Sequence, residues 1–380
     1  MSYFDGKRSY SPTDARETQS RARAGVTRFA SLAAGRKVAV EWVVPGSMVT
    51  FIRIWATVAA LMVAGCSSHP PPRARGRIVV AMTMDWEGAE IDADALAALA
   101  KFRAGLGDAP MTFFVSAAYF TKATPDPAVI GTLKSVVRPT DELAVHLHAW
   151  QSLAKASGIE PKLSPSFLTG TDELLQFPDG DVGFDTDLDA YDVVSLRAML
   201  RTTRRLLEQT HLPVSKSFRA GGYLGTPKVL QAIHDEGFTV DSSATDPREI
   251  LVDGAEFLSK RLQAVWPKVV TTTQPYVIHA PSGDVLEMPI AAIADYTTPA
   301  KIVGVFDALD AQLRAAPDRD VFVVLVFHLE TATDYADHVA AALATVRAHG
   351  RRADELSFVT MQQAAERARI ASAPVAAGGS

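Results

Sequence analysis

Two histidines spaced two residues apart give the chain its clearest chemical signal. His146 and His148 belong to the segment Glu-Leu-Ala-Val-His-Leu-His-Ala-Trp (142–150), whose apolar content predicts a β-strand. Side chains alternate between the two faces of a strand, so both imidazoles point to the same side. Imidazole nitrogen is a favoured ligand of divalent cations. The pair therefore indicates either a metal site or two hydrogen-bonded histidines at a strand end.

Two acidic residues have the same spacing. Asp85 and Glu87 follow the apolar run Val-Ala-Met-Thr-Met (80–84) and share a face if that strand continues. One carboxylate can bind a cation while the other takes a proton from activated water. Either of the two can be the ligand, and the alternative is that both are solvated loop acids.

Arg219 and His328 follow two further strand-like runs. Parallel α/β enzymes build their sites from side chains that converge at the carboxyl ends of the strands. We therefore expect both residues to join the histidines and acids. A buried structural ion pair is the alternative for Arg219, and a hydrogen-bonded core histidine is the alternative for His328.

From Arg77 onward, short apolar runs alternate with helical patterns, which predicts βα units and a mainly parallel sheet. The predicted strands are 78–84, 111–115, 143–147, 217–218, 239–240, 285–288, 321–327 and 358–359. The predicted helices are 95–102, 193–209, 227–236, 302–315, 335–349 and 361–370. Seven or eight such units favour an α/β barrel over an open sheet.

Residues 151–192 interrupt this alternation with prolines, glycines and the acidic run Asp179–Asp192. A loop of this length inside a domain is usually functional or poorly ordered. A solvated acidic face is the expected structure, with a substrate-facing lid or an extra cation site as alternatives.

Composition limits the classes of partner. The chain has 380 residues, 48% hydrophobic content and a formal net charge of -5, which suits one catalytic domain with appendages. No basic block lies beyond the amino-terminal region, so nothing indicates nucleic acid as a partner, and no obligate protein partner is evident. The single cysteine, Cys66, excludes an internal disulfide.

The amino-terminal region predicts export. Residues 48–66 have Arg53, an apolar run and then small residues, as in a secretory signal peptide. Val-Ala-Gly-Cys (63–66) resembles a bacterial lipobox, in which Cys66 is lipidated and anchors the protein in a membrane. Residues 67–76 form a proline-rich tether. The predicted location is the periplasmic face of the cell envelope, with the outer membrane favoured because Ser67, not Asp, follows the cysteine.

The remaining boundaries follow from these. We expect translation to begin at Met48, so that residues 1–47 are not made, or else form a disordered extension. Residues 77–370 are the predicted catalytic domain, and residues 371–380 are predicted to be a disordered tail.

The motifs together resemble the polysaccharide deacetylase family, also called the NodB-homology or carbohydrate esterase 4 group, of which this chain looks like a divergent member. The five segments that carry the resemblance, in the family's order, are Thr-Met-Asp85-Trp-Glu87-Gly, His146-Leu-His148, Phe-Arg219-Ala-Gly-Gly-Tyr223, Gly-Phe-Thr-Val-Asp241-Ser-Ser and Leu325-Val-Phe-His328. The chain departs from the family where His148 follows His146 by two residues instead of four, which puts Trp150 at the usual position of the second histidine. It also has Ala-Gly-Gly in place of Pro-Pro.

The resemblance implies a distorted (β/α) barrel of the NodB-homology type and a role for each residue. Asp85 would be the general base, oriented by Arg219, and His328 would be the general acid, tuned by Asp241 or by its rival Asp246. Glu87, His146 and His148 would hold a divalent metal ion, zinc in the first place, with cobalt or manganese as alternatives.

Substrate contacts are implied too. The backbone near Gly222 or Tyr223 would hold the oxyanion. Trp150 would stack on a sugar ring, with a place in the aromatic core as the alternative. The expected activity is hydrolytic N- or O-deacetylation of an N-acetylated polysaccharide or oligosaccharide with release of acetate. The alternatives are a metal-independent hydrolase of a non-peptide C–N bond in a small amide, and an inactive glycan-binding lipoprotein.

Overall fold

The structure is a computed structural model that describes residues 75–250, 256–348 and 356–372. Residues 1–47, the predicted signal peptide with Cys66, and all of the tether before Arg75 lie outside the described residues, as does the tail from residue 373. Residues 371 and 372, assigned to that tail, instead complete the last helix. Among the described helices, none combines the length and the apolar character needed to cross a membrane.

Apolar segments form the strands. The described strands are β1 (Ile78–Trp86), β2 (Thr112–Ser116), β3 (Glu142–Leu147), β4 (Val214–Ala220), β5 (Val240–Asp241), β6 (Tyr276–Ala280), β7 (Gly283–Glu287), β8 (Ile290–Ile293), β9 (Val321–His328) and β10 (Leu356–Val359). All nine residues of β1 are buried, as expected for a parallel strand covered on both faces. The segments β6 and β8 were not predicted as strands.

Helices connect the strands. They are α1 (Ala93–Leu106), α2 (Val129–Val136), α3 (Gln151–Ala156), α4 (Val193–Glu208), α5 (Pro227–Asp235), α6 (Glu256–Val265), α7 (Pro299–Ala315), α8 (Ala332–Ala348) and α9 (Met361–Ser372). Local residues set their starts: the carboxylate of Asp192 accepts a hydrogen bond from the Ser195 N–H at the start of α4, and Thr298 caps α7 directly before Pro299.

The mostly parallel sheet curls into a distorted barrel that is closed only in part, in agreement with the predicted (β/α) barrel. Neighbouring strands follow the chain order β1 to β5, and β9 returns beside β1. The extended segment 283–293 joins the two edges, because β7 pairs with β5 while β8 pairs with β9. One backbone bond from Ile290 N–H to the Ala244 carbonyl (2.7 Å) completes the seam. The carboxyl ends of the strands thus surround one opening.

The prediction of a solvated acidic face at 151–192 is wrong for three of its acids. Asp181, Asp185 and Asp187 are buried. Asp181 pairs with Lys122 (3.1 Å), and Asp187 pairs with Arg261 (2.8 Å). Asp185 accepts hydrogen bonds from the Ser166 hydroxyl (2.5 Å) and from the Leu175 N–H. The acids therefore hold this segment in place, and its aromatic side chains pack at the barrel opening.

Candidate active site

Strand register brings the predicted residues together. Asp85 of β1 is the direct neighbour of His328 of β9, and His146 of β3 is the neighbour of Arg219 of β4. All four lie at the carboxyl ends of parallel strands; Asp85, His146 and Arg219 are buried, and 12% of the His328 side chain is exposed. The expected convergence of acids, imidazoles and guanidinium is confirmed.

Glu87, His146 and His148 form one compact cluster of possible metal ligands. Oε2 of Glu87 lies 3.1 Å from Nε2 of His146 and 2.5 Å from Nε2 of His148, and the two Nε2 atoms are 3.1 Å apart. Ligand atoms about 2.0–2.1 Å from one tetrahedral zinc ion lie about 3.3 Å apart. Within the described residues, Glu87, His146 and His148 are the one group of His, Cys, Asp or Glu found with the spacing of a metal site.

The hydrogen bonds of the imidazoles fit a cation. Nδ1 of His146 lies 3.0 Å from the carbonyl oxygen of Arg219, and Nδ1 of His148 lies 2.6 Å from that of Phe184. A carbonyl oxygen only accepts, so both Nδ1 atoms donate, and the Nε2 lone pairs face the cluster. Two lone pairs and a carboxylate at these distances repel one another unless a positive charge lies between them.

The electrostatics of the cluster agree with this. Burial raises the pKa of Glu87, but His148 and His146 together lower it by more than burial raises it. The pKa of Glu87 therefore lies well below its usual value. Burial lowers the pKa of His146, but Glu87 and Asp85 outweigh this effect and raise it. The site therefore attracts positive charge to the Nε2 atoms.

Asp85 is held on one oxygen and free on the other. Its Oδ1 lies 2.5 Å from Nη1 of Arg219, whose guanidinium stacks on Phe114 with Cζ 4.1 Å from the ring centre. Arg219 is itself fixed by Ser242, which accepts from Nε and Nη2. Oδ2 of Asp85 has no hydrogen-bond partner among the described residues and lies 3.9 Å from Nε2 of His328.

His328 is oriented by an acid that the sequence reasoning missed. Nδ1 of His328 lies 3.0 Å from Oδ2 of Asp295, and Nε2 lies 2.9 Å from the hydroxyl of Tyr223 and 3.2 Å from Oε1 of Glu87. Burial lowers the pKa of His328, but Asp295, Glu87 and Asp85 raise it to about 10. Asp295 directly follows the exit of β8, so recognition of that strand would have revealed it.

The prediction that Asp241 tunes His328 is wrong. The Asp241 carboxylate accepts from the Ser243 hydroxyl (2.6 Å) and lies beside Glu287 of the neighbouring strand. Asp246, the rival candidate, caps a short turn and accepts hydrogen bonds from Nε and Nη2 of Arg248. Asp295 takes the place expected for either of them, because β8 lies next to β9 and β5 does not.

Trp150 also has a different position from the expected one. Its ring is fully buried and therefore cannot stack on a sugar. Its indole N–H donates to the Glu87 carbonyl (2.9 Å), while Oε1 of Glu330 accepts from the Glu87 N–H (2.9 Å). Trp150 and Glu330 thus hold the backbone of a candidate metal ligand from both sides, and the sequence reasoning did not identify Glu330.

The glycine pair before Tyr223 is explained by close packing. A Cβ atom on Gly221 would lie 2.7 Å from the His148 ring, so a larger residue would displace the imidazole. Gly222 and Tyr223 both have positive φ angles, 59° and 62°, which turns the Tyr223 side chain toward His328. The predicted contribution of their backbone to an oxyanion site stays a prediction, whereas the contact of the Tyr223 hydroxyl with His328 was not foreseen.

Comparison with known proteins gives only distant likenesses. No protein-family model matches the chain, and no curated protein matches it. Among solved structures, the chain is similar to a Mycobacterium smegmatis protein assigned as a polysaccharide deacetylase, with 17% identity, a TM-score of 0.46 and coverage of 78% of this chain and 91% of that chain.

Two other solved structures are also similar to this chain. One is PuuE allantoinase, with 12% identity, a TM-score of 0.47 and coverage of 86% of this chain and 100% of that one. The other is the peptidoglycan deacetylase PdaC from Bacillus subtilis, with 13% identity, a TM-score of 0.34 and coverage of 77% and 93%.

Proposed function

We propose that this chain is a metal-dependent hydrolase that removes acetyl groups from an N-acetylated polysaccharide, or from its O-acetylated counterpart, and releases acetate. The observation that carries the proposal is the pair of Nε2 atoms, 3.1 Å apart and both in contact with Glu87. Glu87, His146 and His148 would hold the divalent ion, with zinc preferred because two imidazoles and a carboxylate are a zinc-type ligand set. When bound, the ion would polarise the acetyl carbonyl and make water more acidic.

The remaining residues suit acid–base catalysis. Oδ2 of Asp85 has no hydrogen-bond partner among the described residues, so Asp85 would take the proton from the attacking water. The ion pair with Arg219 holds the Asp85 carboxylate in a fixed orientation. Asp85 is thus the base and Glu87 the ligand.

His328 would act at the other end of the reaction. Asp295 stabilises the protonated form of His328, and Nε2 of His328 points toward Asp85 and Glu87. A protonated imidazole can donate its proton to the departing amine, which makes the sugar amine a better leaving group. The Tyr223 hydroxyl beside Nε2 would hold the ring in this orientation.

Export and lipid anchoring are part of the same proposal. The run of residues 48–66 and the lipobox-like Val-Ala-Gly-Cys support attachment through Cys66 to the periplasmic face of the envelope, with the outer membrane favoured. A polymer of the cell envelope would then be within reach. Labelling with a fatty-acid probe should mark the protein and should fail for Cys66→Ala; labelling of that variant would contradict the anchor.

Metal analysis and an acetate-release screen test the activity. The purified protein should contain about one equivalent of divalent ion, should lose activity with a chelator and should regain it with zinc, cobalt or manganese. Chito-oligosaccharides, peptidoglycan and poly-N-acetylglucosamine are the substrates to screen. Acetate release that persists without any metal would instead support a metal-independent hydrolase, and metal binding without hydrolysis of any substrate would support a glycan-binding protein.

A further inference from the structure

A buried lysine lies behind the candidate metal ligands. Lys122 follows the short 3₁₀ helix Ala117–Phe120 that comes after β2, and only 7% of its side chain is exposed. Its Nζ atom lies 3.3 Å from the centre of the Trp150 ring, 3.1 Å from Oδ2 of Asp181 and 3.3 Å from Oδ2 of Asp179. Burial of an ammonium group is costly unless the charge is paired. The groups that pair with Lys122 therefore indicate what its charge holds in place.

Asp181 connects Lys122 to helix α3. Oδ2 of Asp181 also accepts from the Ser152 hydroxyl (2.6 Å), and Oδ1 accepts from the Ser152 N–H (3.1 Å) in the first turn of α3. The carbonyl of the next residue, Val182, accepts from the Gln151 N–H (2.8 Å). One carboxylate thus ties together the chain after β2, the start of α3 and the loop 179–184.

The loop 179–184 carries the partner of a candidate metal ligand. The Phe184 carbonyl accepts from Nδ1 of His148 (2.6 Å), and the Phe184 ring stacks on the imidazole, with 4.3 Å between the ring centres and an angle of 10°. Gly183 packs against the backbone beside His148, because a Cβ atom there would lie 2.7 Å from the Ala149 carbonyl oxygen. A shift of this loop would therefore move the imidazole and its Nε2 atom.

Trp150 provides a second connection to the candidate metal site. The face of its ring contacts Lys122, and its indole N–H donates to the Glu87 carbonyl (2.9 Å). The ring attracts a cation over its face, and the attraction is stronger where water is excluded. Lys122 thus contacts the supports of two candidate ligands. Glu87 is reached through Trp150, and His148 is reached through Asp181 and its loop.

We propose that Lys122 is a positioning residue for the metal site. Its charge holds the Trp150 ring and Asp181 together and thereby sets the places of Glu87 and His148. The proposal rests on the proposed function. Replacement of residues that orient metal ligands typically lowers metal affinity by about 10- to 100-fold. Loss of the Lys122 charge should therefore weaken metal binding in a protein that still folds.

Three variants test the proposal. Lys122→Met removes the charge and keeps an unbranched chain, whereas Lys122→Arg keeps the charge and can stack on the indole. Arg103→Met is the matched control. Arg103 forms a comparably buried ion pair with Asp141 (3.0 Å) and lies over the Phe113 ring, but this pair is next to the amino ends of β2 and β3. Titration under a competing chelator measures zinc affinity, and urea unfolding of the metal-free proteins measures stability.

The expected result is a loss of metal affinity that does not follow the loss of stability. The dissociation constant for zinc should rise about tenfold in Lys122→Met and should stay close to the wild-type value in Lys122→Arg and Arg103→Met. Both methionine variants should lose stability, because each leaves a buried carboxylate without its cation. The visible absorption of the cobalt-loaded protein, which reports ligand geometry, should change in Lys122→Met and not in Arg103→Met.

Other outcomes overturn the proposal. Wild-type zinc affinity in Lys122→Met, or equal weakening in Arg103→Met, would contradict it and leave the proposed function intact. Equal weakening in Lys122→Arg would show that the shape of the side chain matters and its charge does not. If Lys122→Met does not fold, Lys122→Gln replaces it with the same expected direction, because its amide can still donate to Asp181.

The same measurements separate this proposal from the proposed function. If wild type binds zinc but releases no acetate from any substrate, the proposed activity fails, and the zinc affinities of the variants still decide the role of Lys122. If wild type binds no divalent ion, both proposals are wrong.

Discussion

Arg219 lies between two acidic groups whose surroundings differ. On one side, its Nη1 contacts Asp85 (2.5 Å), whose other oxygen faces His328 and has no hydrogen-bond partner among the described residues. On the other side, Nε and Nη2 bind Ser242, which follows Asp241. The neighbour of Asp241 is another acid, Glu287. Burial raises the pKa of both Asp241 and Glu287, so this pair retains a proton.

This difference shows why burial near a catalytic arginine does not by itself identify a catalytic acid. Asp85 has a cation as its nearest partner and a free oxygen that points toward the cluster of Glu87, His146 and His148. Asp241 has no cation bound to it directly: the Ser243 hydroxyl donates to Oδ1, and Oδ2, which like that of Asp85 has no hydrogen-bond partner among the described residues, lies in a carboxylate whose neighbour is the acid Glu287. The first arrangement suits a base that takes a proton from water, and the second suits a structural acid pair.

Replacement of the two aspartates by asparagine gives the largest expected contrast. Asp85→Asn should lower kcat about 10²–10⁴-fold, because the base is lost, while the metal content stays at that of wild type. Asp241→Asn should leave kcat nearly unchanged, because the amide can keep the contact with Ser243. Activity assays with metal analysis of both variants measure this. An equal loss of kcat in the two would mean that Asp241 takes part in catalysis.

Asp295→Asn should have the next largest effect. Because His328 keeps its ring but loses the acid at Nδ1, kcat should fall about 10- to 100-fold, less than on loss of the base. The loss should vanish when Asp295→Asn is made in a His328→Ala background, since the acid is inferred to act through the imidazole. An additional loss of the same size in that background would show that Asp295 acts independently of His328.

Trp150→Phe should weaken metal binding by about tenfold, within the range for residues that position ligands. The variant keeps an aromatic ring beside Phe177 but loses the hydrogen bond to the Glu87 carbonyl. Trp86→Phe is the matched control, because the buried Trp86 indole N–H has no partner among the described residues. Titration with zinc under a competing chelator measures both affinities. Equal weakening in the two variants would trace the effect to packing alone.

The sequence predicts the parts of this site that depend on strand periodicity. Asp85, His146, Arg219 and His328 could be brought together in advance because the carboxyl ends of parallel strands meet at one edge of a sheet. The spacing of two residues also places His146 and His148 on one face. Strand order and the barrel follow from the same alternation of strands and helices.

The parts that the sequence did not predict depend on tertiary contacts. Asp295 follows β8, a four-residue strand directly after Pro289 that resembles a continuation of β7. Glu330 and the Phe184 carbonyl come from loops whose paths have no periodic signal. The acids of 151–192 appear solvated in the sequence because their partners, such as Lys122 and Arg261, lie far away in the chain.

Glu287→Gln should have the smallest effect, and only on stability. In the folded protein, burial and the neighbouring Asp241 raise the pKa of Glu287 well above its usual value, whereas the unfolded chain loses this proton near pH 4.3. The unfolded state therefore binds fewer protons as the pH rises above that value, and the wild-type free energy of unfolding falls. Glutamine has no proton to lose, so the variant should gain about 1 kcal/mol over wild type at pH 8 and little at pH 5.

The same substitution at Glu142 provides the control. Glu142 is also buried, but it accepts hydrogen bonds from Ser215, Thr112 and the Gln362 N–H and has no acidic partner among the described residues. Glu142→Gln should therefore destabilise the protein. The amide NH₂ group cannot accept hydrogen bonds, and it would face donors from which the carboxylate oxygen accepts in wild type. Urea unfolding at pH 5 and pH 8 measures both variants. If Glu287→Gln loses stability at pH 8 as Glu142→Gln does, then Glu287 is a charged acceptor, and the contrast between the two sides of Arg219 disappears.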